Sequence, residues 1–150
     1  MKKFLVLFVF VLFATIASAQ SHREVKWTFT TKKISDKTYE VHMTANINGK
    51  FHMYAQDGGD GPVSTTFNFT RNPLLSFDGK VKEVGKIKKV YEEAFGSEVR
   101  FYENTVSFVQ VVKVRGSAKS NLAGKVEFMV CDDSKCLPPS TVDFSVNIGG

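Results

Sequence analysis

Along most of this chain apolar and polar residues alternate one by one, the period of a strand rather than that of a helix. Val25, Trp27 and Phe29 alternate with Lys26, Thr28 and Thr30. Tyr39, Val41, Met43, Ala45 and Ile47 alternate with Glu40, His42, Thr44, Asn46 and Asn48. Asn48-Gly49 then predicts a two-residue hairpin turn, because both residues tolerate positive φ, with Phe51 to Tyr54 as the returning strand. Gln56 to Pro62 reads as loop on its Asp and Gly content, and it lacks the ligand spacing of a calcium loop. Val63, Thr65, Phe67 and Phe69 alternate next, up to Arg71-Asn72-Pro73. Lys80 to Phe95 is ambiguous. Val81, Val84, Ile87 and Val90 recur at threes, but Gly85 interrupts and β-branched residues abound, which favours irregular or short-stranded structure. Strands return over Val99–Tyr102, Thr105–Val114, Lys125–Cys131 and Thr141–Ile148, with 116–124 as a loop. About eight or nine short strands, with no repeat and no linker, predict one all-β domain built as a β-sandwich.

The first residues follow a different pattern. Lys2-Lys3, an apolar run from Phe4 to Ile16 and the small residues Ala17-Ser18-Ala19 have the order of a cleaved signal peptide. The run is too short to span a bilayer comfortably. Cleavage before Gln20 leaves about 130 residues, the size of one domain with a real core. No cysteine follows the leader, so a lipid-anchored form lacks its attachment residue. The remainder reads as an exported domain that does not itself span the membrane. The formal charge of +5 falls to about +3 without Lys2 and Lys3. Single scattered lysines carry it, which argues against nucleic-acid binding.

Both cysteines lie in one stretch, Val126 to Pro139. Val126, Phe128 and Val130 point one way, and Lys125, Glu127 and Met129 the other, so an unbulged strand puts Cys131 on the Lys125/Glu127 face. That face is expected to be the less buried. Cys136 follows after four intervening residues and runs into Leu137-Pro138-Pro139, where proline stiffens the chain and blocks ladder pairing. Two cysteines in an exported chain argue for a disulfide. Closing so short a loop stabilises a fold by only about 2 kcal/mol in the loop-entropy model, a small contribution in a chain with 14 phenylalanines. Spacing alone still leans toward a structural bridge, since most exported pairs are structural. No helix is predicted whose dipole could lower a thiol pKa. Asp132 and Asp133 disfavour a thiolate and Lys135 offsets part of that. Such a pair works best when a partner's thiolate attacks it or docking activates it.

Cys-x4-Cys-Leu-Pro-Pro followed by a strand resembles the N-terminal periplasmic domain of DsbD, the thiol:disulfide interchange protein. The family's cysteine spacing is usually one residue wider. Asn48 to Tyr54, N-G-K-F-H-M-Y, is similar to the family's Gly-aromatic segment beside the redox pair. Glu92 to Tyr102 is similar to its cap loop, with Glu93-Ala94 where the family has two acids. The resemblance covers most of the mature chain and implies an immunoglobulin-like β-sandwich, although the far-apart cysteines that bridge two sheets in immunoglobulins are absent. It also implies thiol–disulfide exchange through Cys131 and Cys136, with Cys136 bonding substrates. Phe95 would be the cap over the pair, with Phe51 and Tyr54 beside it. The implied partners are a membrane thiol–disulfide transporter and thioredoxin-like periplasmic proteins. The implied location is the periplasm, and no cofactor is implied. A full DsbD carries a transmembrane section and a thioredoxin-like domain beyond this one. With the chain ending at Gly150, the resemblance implies a separate transporter or a different task.

Two rival readings follow from the residues themselves. A non-catalytic binding or assembly module would keep the disulfide as a staple, with Phe51, Tyr54 and Phe95 as plain core. His42-Met43 and His52-Met53, paired across the predicted hairpin, would offer a copper-like ligand set. In each dipeptide, however, His and Met point to opposite faces, and no metal site is expected. No Ser-His-Asp or paired-carboxylate arrangement is evident.

Overall fold

In a computed structural model, residues 23–149 are described; the leader and its cleavage site lie outside them. No helix is found among these residues, and none is long and apolar enough to cross a membrane. Eleven strands form in chain order. They are β1 (Val25–Ser35), β2 (Thr38–Ile47), β3 (His52–Gly59), β4 (Thr66–Phe69), β5 (Leu75–Gly85), β6 (Lys88–Glu92), β7 (Ser97–Glu103), β8 (Thr105–Val114), β9 (Ser120–Phe128), β10 (Val130–Cys131) and β11 (Ser140–Ile148). Every pairing is antiparallel, in sheets ordered β1-β2-β8-β5, β10-β3-β7-β6 and β11-β9-β4.

Period-two alternation supplies the core. Val41, Met43, Ala45 and Ile47 of β2 and Val106, Phe108, Val112 and Val114 of β8 are all buried, as are Leu122, Val126 and Phe128 of β9 and Phe144, Val146 and Ile148 of β11. They join Met53 and Ala55 of β3 in one apolar cluster. Trp27, partly buried, packs against this cluster, with ring centroids 5.5 Å from Phe128 and 5.9 Å from both Phe108 and Phe29. A second, smaller cluster unites Tyr54, Val99, Phe101, Met129 and Cys131. It sits at the end of the fold that carries the cysteines.

Three local expectations change, and the ambiguous segment 80–95 resolves in favour of strands. Asn48-Gly49 makes a turn, closed by the Phe51 amide donating to the Asn48 carbonyl at 2.8 Å, but it is no hairpin. β2 pairs with β1 and β8, whereas β3 pairs with β7 and β10 in another sheet, so the turn is a corner between sheets. Its strand edges were already taken: β1 returns through a tight turn in which Lys37 adopts φ 57°. The segment 80–95 is stranded, with β5 on β8 and β6 on β7. Their exposed sides explain the helix-like threes, since Val84, Ile87 and Val90 contribute little to the core. β9 begins at Ser120, inside the expected loop, and β3 runs on to Gly59 through an irregularity after Tyr54.

Candidate functional site

The disulfide is built where the chain changes sheets. β9 ends at Phe128, and after Met129 the chain resumes as β10 on the edge of β3, with Val130 opposite Met53 and Cys131 opposite His52. Alternation continues through the junction. Phe128 and Val130 enter the main core, while Met129 and Cys131 enter the second cluster. Cys131 thus lies on the face that the sequence indicates, but the expected exposure is wrong: it is 2% exposed. Lys125 and Glu127 of the same face look outward, and it is Tyr54, Val99 and Phe101 of β3 and β7 that cover its far end. Cys136 is exposed.

Cys131 and Cys136 are bonded and face each other as an isolated antiparallel bridge. The loop between them is held from within. The Asp132 amide donates to the Lys135 carbonyl at 2.9 Å, and the Leu137 amide to the Val130 carbonyl at 2.9 Å. One oxygen of the Asp132 carboxylate accepts from the Ser134 amide, the Ser134 hydroxyl and the Lys135 amide at 2.9, 2.7 and 2.9 Å. These bonds, that of the Ser134 hydroxyl first, hold its carboxyl well below the usual range. Asp132 is therefore the loop's scaffold as well as a negative charge near the sulfurs. Leu137 packs against the main core and anchors the exit before Pro138-Pro139.

Behind Cys131 lies a polar network. The Tyr54 hydroxyl is 3.2 Å from Cys131 Sγ and 3.1 Å from Glu92 Oε2. His52 Nε2 is 3.3 Å from the same hydroxyl and 3.4 Å from Glu92 Oε1. Burial, then the Glu92 charge and hydrogen bond, push the Tyr54 hydroxyl well above its ordinary pKa, so it stays a donor. With one proton and two candidate acceptors it favours the carboxylate, because hydrogen bonds to ionised groups are the stronger ones. Burial pulls the His52 pKa down against the opposing pull of Glu92, Glu103, Asp133 and Asp132.

A groove of about 660 Å³ opens over this arrangement, walled by His52, Phe101, the Val90–Ala94 segment and the Asp132–Cys136 loop. The turn Glu92–Gly96 closes with the Gly96 amide donating to the Glu92 carbonyl at 2.9 Å. Phe95 turns inward from it, edge-on to Tyr54 with centroids 6.0 Å apart. It lies over Gly61, whose φ is +112° and where an added Cβ would stand 2.6 Å from the ring. Only glycine suits that backbone and that approach. Phe51 is buried in the main core, with Lys50 Nζ 4.9 Å from its ring centroid. Of the three aromatic candidates, Tyr54 touches the disulfide, Phe95 touches Tyr54, and Phe51 lies in the other cluster.

The thiol:disulfide interchange protein DsbD N-terminal family matches residues 19–148. The chain belongs to that family. Among solved structures it is similar to the reduced DsbD N-terminal domain of Neisseria meningitidis, at 16% identity and TM-score 0.56, over 86% of this chain and 89% of that one. It is also similar to the N-terminal periplasmic domain of ScsB from Proteus mirabilis, at 18% identity and TM-score 0.56. That match covers 82% of this chain and about half, 49%, of the other. A comparison with curated proteins finds no match. At these identities the solved structures speak for the fold, which is the family's immunoglobulin-like sandwich.

Two members of the site escaped the sequence reading. Glu92 stood in the cap segment without a role, and His52 stood in the Asn48–Tyr54 segment and as a copper-like candidate beside Met53, with no role in exchange. The hairpin that would have paired His52 with His42 does not form. His42 instead sits on β2, 3.0 Å from Glu40. Strand periodicity held the missing signal: His52 and Tyr54 are two residues apart, so a strand that brings Tyr54 to the cysteines brings His52 as well.

Proposed function

We propose that this domain exchanges electrons with protein thiols through Cys131–Cys136, in the periplasm. It would receive them from a membrane thiol–disulfide transporter and pass them to thioredoxin-like exported proteins. The observation that carries the reading is the asymmetry of the bridge. Cys136 is exposed at a groove, and Cys131 is buried beneath it against a phenolic donor. Of the two cysteines, the exposed Cys136 is the one offered to a partner's thiolate. Attack there forms a partner–Cys136 disulfide and breaks the Cys131–Cys136 bond, whose electron pair leaves on Cys131 as a thiolate. The partner's second thiol then attacks its own sulfur in the mixed disulfide and releases Cys136. The partner ends oxidised and the domain carries two thiols. Running forward to the next protein, Cys136 attacks and Cys131 resolves.

In this reading the Glu92–Gly96 turn caps the pair, with Phe95 as its anchor on Tyr54 rather than as a plate lying over the sulfurs. The leader, residues 1–19, delivers the domain, so mature protein should begin at Gln20.

Trapping tests the reading. Cys131→Ala in the exporting bacterium should accumulate mixed disulfides through Cys136 with a thioredoxin-like protein or a membrane thiol transporter, identified by mass spectrometry. Cys136→Ala should accumulate fewer, and dithiothreitol should release both. Absence of adducts from either variant, together with a reduction potential at or below roughly −300 mV, would mark a structural staple.

A further inference from the structure

The charge count around Cys131 poses a problem that exchange must solve. Releasing Cys131 as a thiolate places a second anion beside Glu92, inside a pocket already faced by Glu103 from β7 and by Asp132 and Asp133 from the loop. Tyr54 has one proton to share between Glu92 and the new thiolate. Of the lysines near the pocket, Lys88 Nζ lies 2.6 Å from Glu103, Lys50 Nζ 3.6 Å from Asp132, and Lys135 lines the groove as an exposed residue of the 131–136 loop. The ion-pair partner of Glu92 is His52, 3.4 Å away. His52 is also directly opposite Cys131 in the ladder, packs at a tilt on Phe101 with ring centroids 4.3 Å apart, and has a side chain only 13% exposed. It is thus held in place with its Nε2 toward both Tyr54 and Glu92.

We propose that His52 is a proton-accepting positioning residue. When Cys131 leaves as a thiolate, His52 takes up a proton and pairs with Glu92, which frees the Tyr54 hydroxyl to donate to Cys131 Sγ. This rests on the exchange reading above, with Cys131 as the leaving sulfur. The attacking thiol loses a proton to solvent and His52 gains one, so the step adds no net charge to the pocket. Before attack the imidazole is neutral at neutral pH, since burial outweighs the acids around it. The sulfur's negative charge supplies the missing pull.

The test is the rate at which dithiothreitol reduces the oxidised domain, measured from pH 6 to 9 and expressed per concentration of attacking thiolate. Acid-quenched samples are alkylated and scored by mass spectrometry. In the native chain this rate constant should rise at least about fivefold from pH 9 to pH 6, the lower end of ordinary site–site coupling. His52→Gln, which keeps a hydrogen-bonding side chain without the charge, and His52→Phe should both be flat. A flat native profile overturns the proposal. So does a His52→Gln profile that matches the native one, because hydrogen bonding alone would then suffice. No partner protein is needed, so missing adducts in the trapping experiment overturn the relay reading without altering these profiles. A disulfide that stays oxidised at every pH overturns both.

Discussion

Replacing Tyr54 by Phe isolates the one hydroxyl that joins the disulfide to its surroundings. The ring is fully buried, so its packing stays in place while the oxygen is lost. In the oxidised protein the hydroxyl's main bond is to Glu92 at 3.1 Å. A hydrogen bond to a charged group contributes about 1.5–3 kcal/mol net. Glu92 is 21% exposed in its side chain and regains water once the partner is gone, so the lower figure applies. Tyr54→Phe should therefore destabilise the oxidised domain by about 1–2 kcal/mol in urea titrations. The second arm uses a Cys136→Ser background, which frees as a thiol the Cys131 sulfur that lies 3.2 Å from the hydroxyl in the disulfide form. There the hydroxyl stabilises a thiolate directly. Losing about 1.4 kcal/mol of that interaction raises the thiol pKa by about one unit, read from thiolate absorbance near 240 nm against pH. A stability loss with an unmoved thiol titration would refute the reasoning and leave Tyr54 a structural residue. A loss of about 4 kcal/mol or more would show that the packing itself had failed.

Three further outcomes follow from the same geometry. Cys131→Ala/Cys136→Ala should stay folded by circular dichroism and lose about 2–3 kcal/mol, since the loop spans a sequence separation of only 5 and constrains the unfolded chain modestly. Phe95→Ala should lose about 2 kcal/mol, less than a fully buried ring, and should speed reduction by dithiothreitol as the Glu92–Gly96 turn loosens; a large stability loss with an unchanged rate would assign Phe95 to packing alone. His52 should make stability pH-dependent. Its folded pKa lies below the usual 6.5, so the unfolded chain binds the extra proton first, and stability present above that value should fall as the pH drops through it toward the folded pKa. Urea midpoints at pH 7.5 and 5.5 should show this decline, and His52→Gln should reduce it.

Much of the strand plan was legible because two faces of unlike polarity leave a period-two trace. The alternation through β2, β8 and β11 gave their ends within a residue, and the family resemblance drew attention to the cysteine pair. The legible part stopped where neighbours decide. Asn48-Gly49 has hairpin chemistry, but β2 had its edges filled by β1 and β8, and no local signal reports which edges are taken. β5 and β6 show blurred periodicity because they are edge strands with little to bury. Cys131 was given its correct face, yet whether that face meets solvent depended on β3 and β7, far off in sequence, placing Tyr54, Val99 and Phe101 over it. By itself the sequence determined which residues share a face and that the two cysteines, five apart, could close a short loop; these are local properties of backbone period and chain length. Only the tertiary structure decided that one sulfur is buried and the other offered, and that His52, Tyr54 and Glu92 converge behind the buried one, because burial and charge pairing depend on segments the chain brings together from a distance.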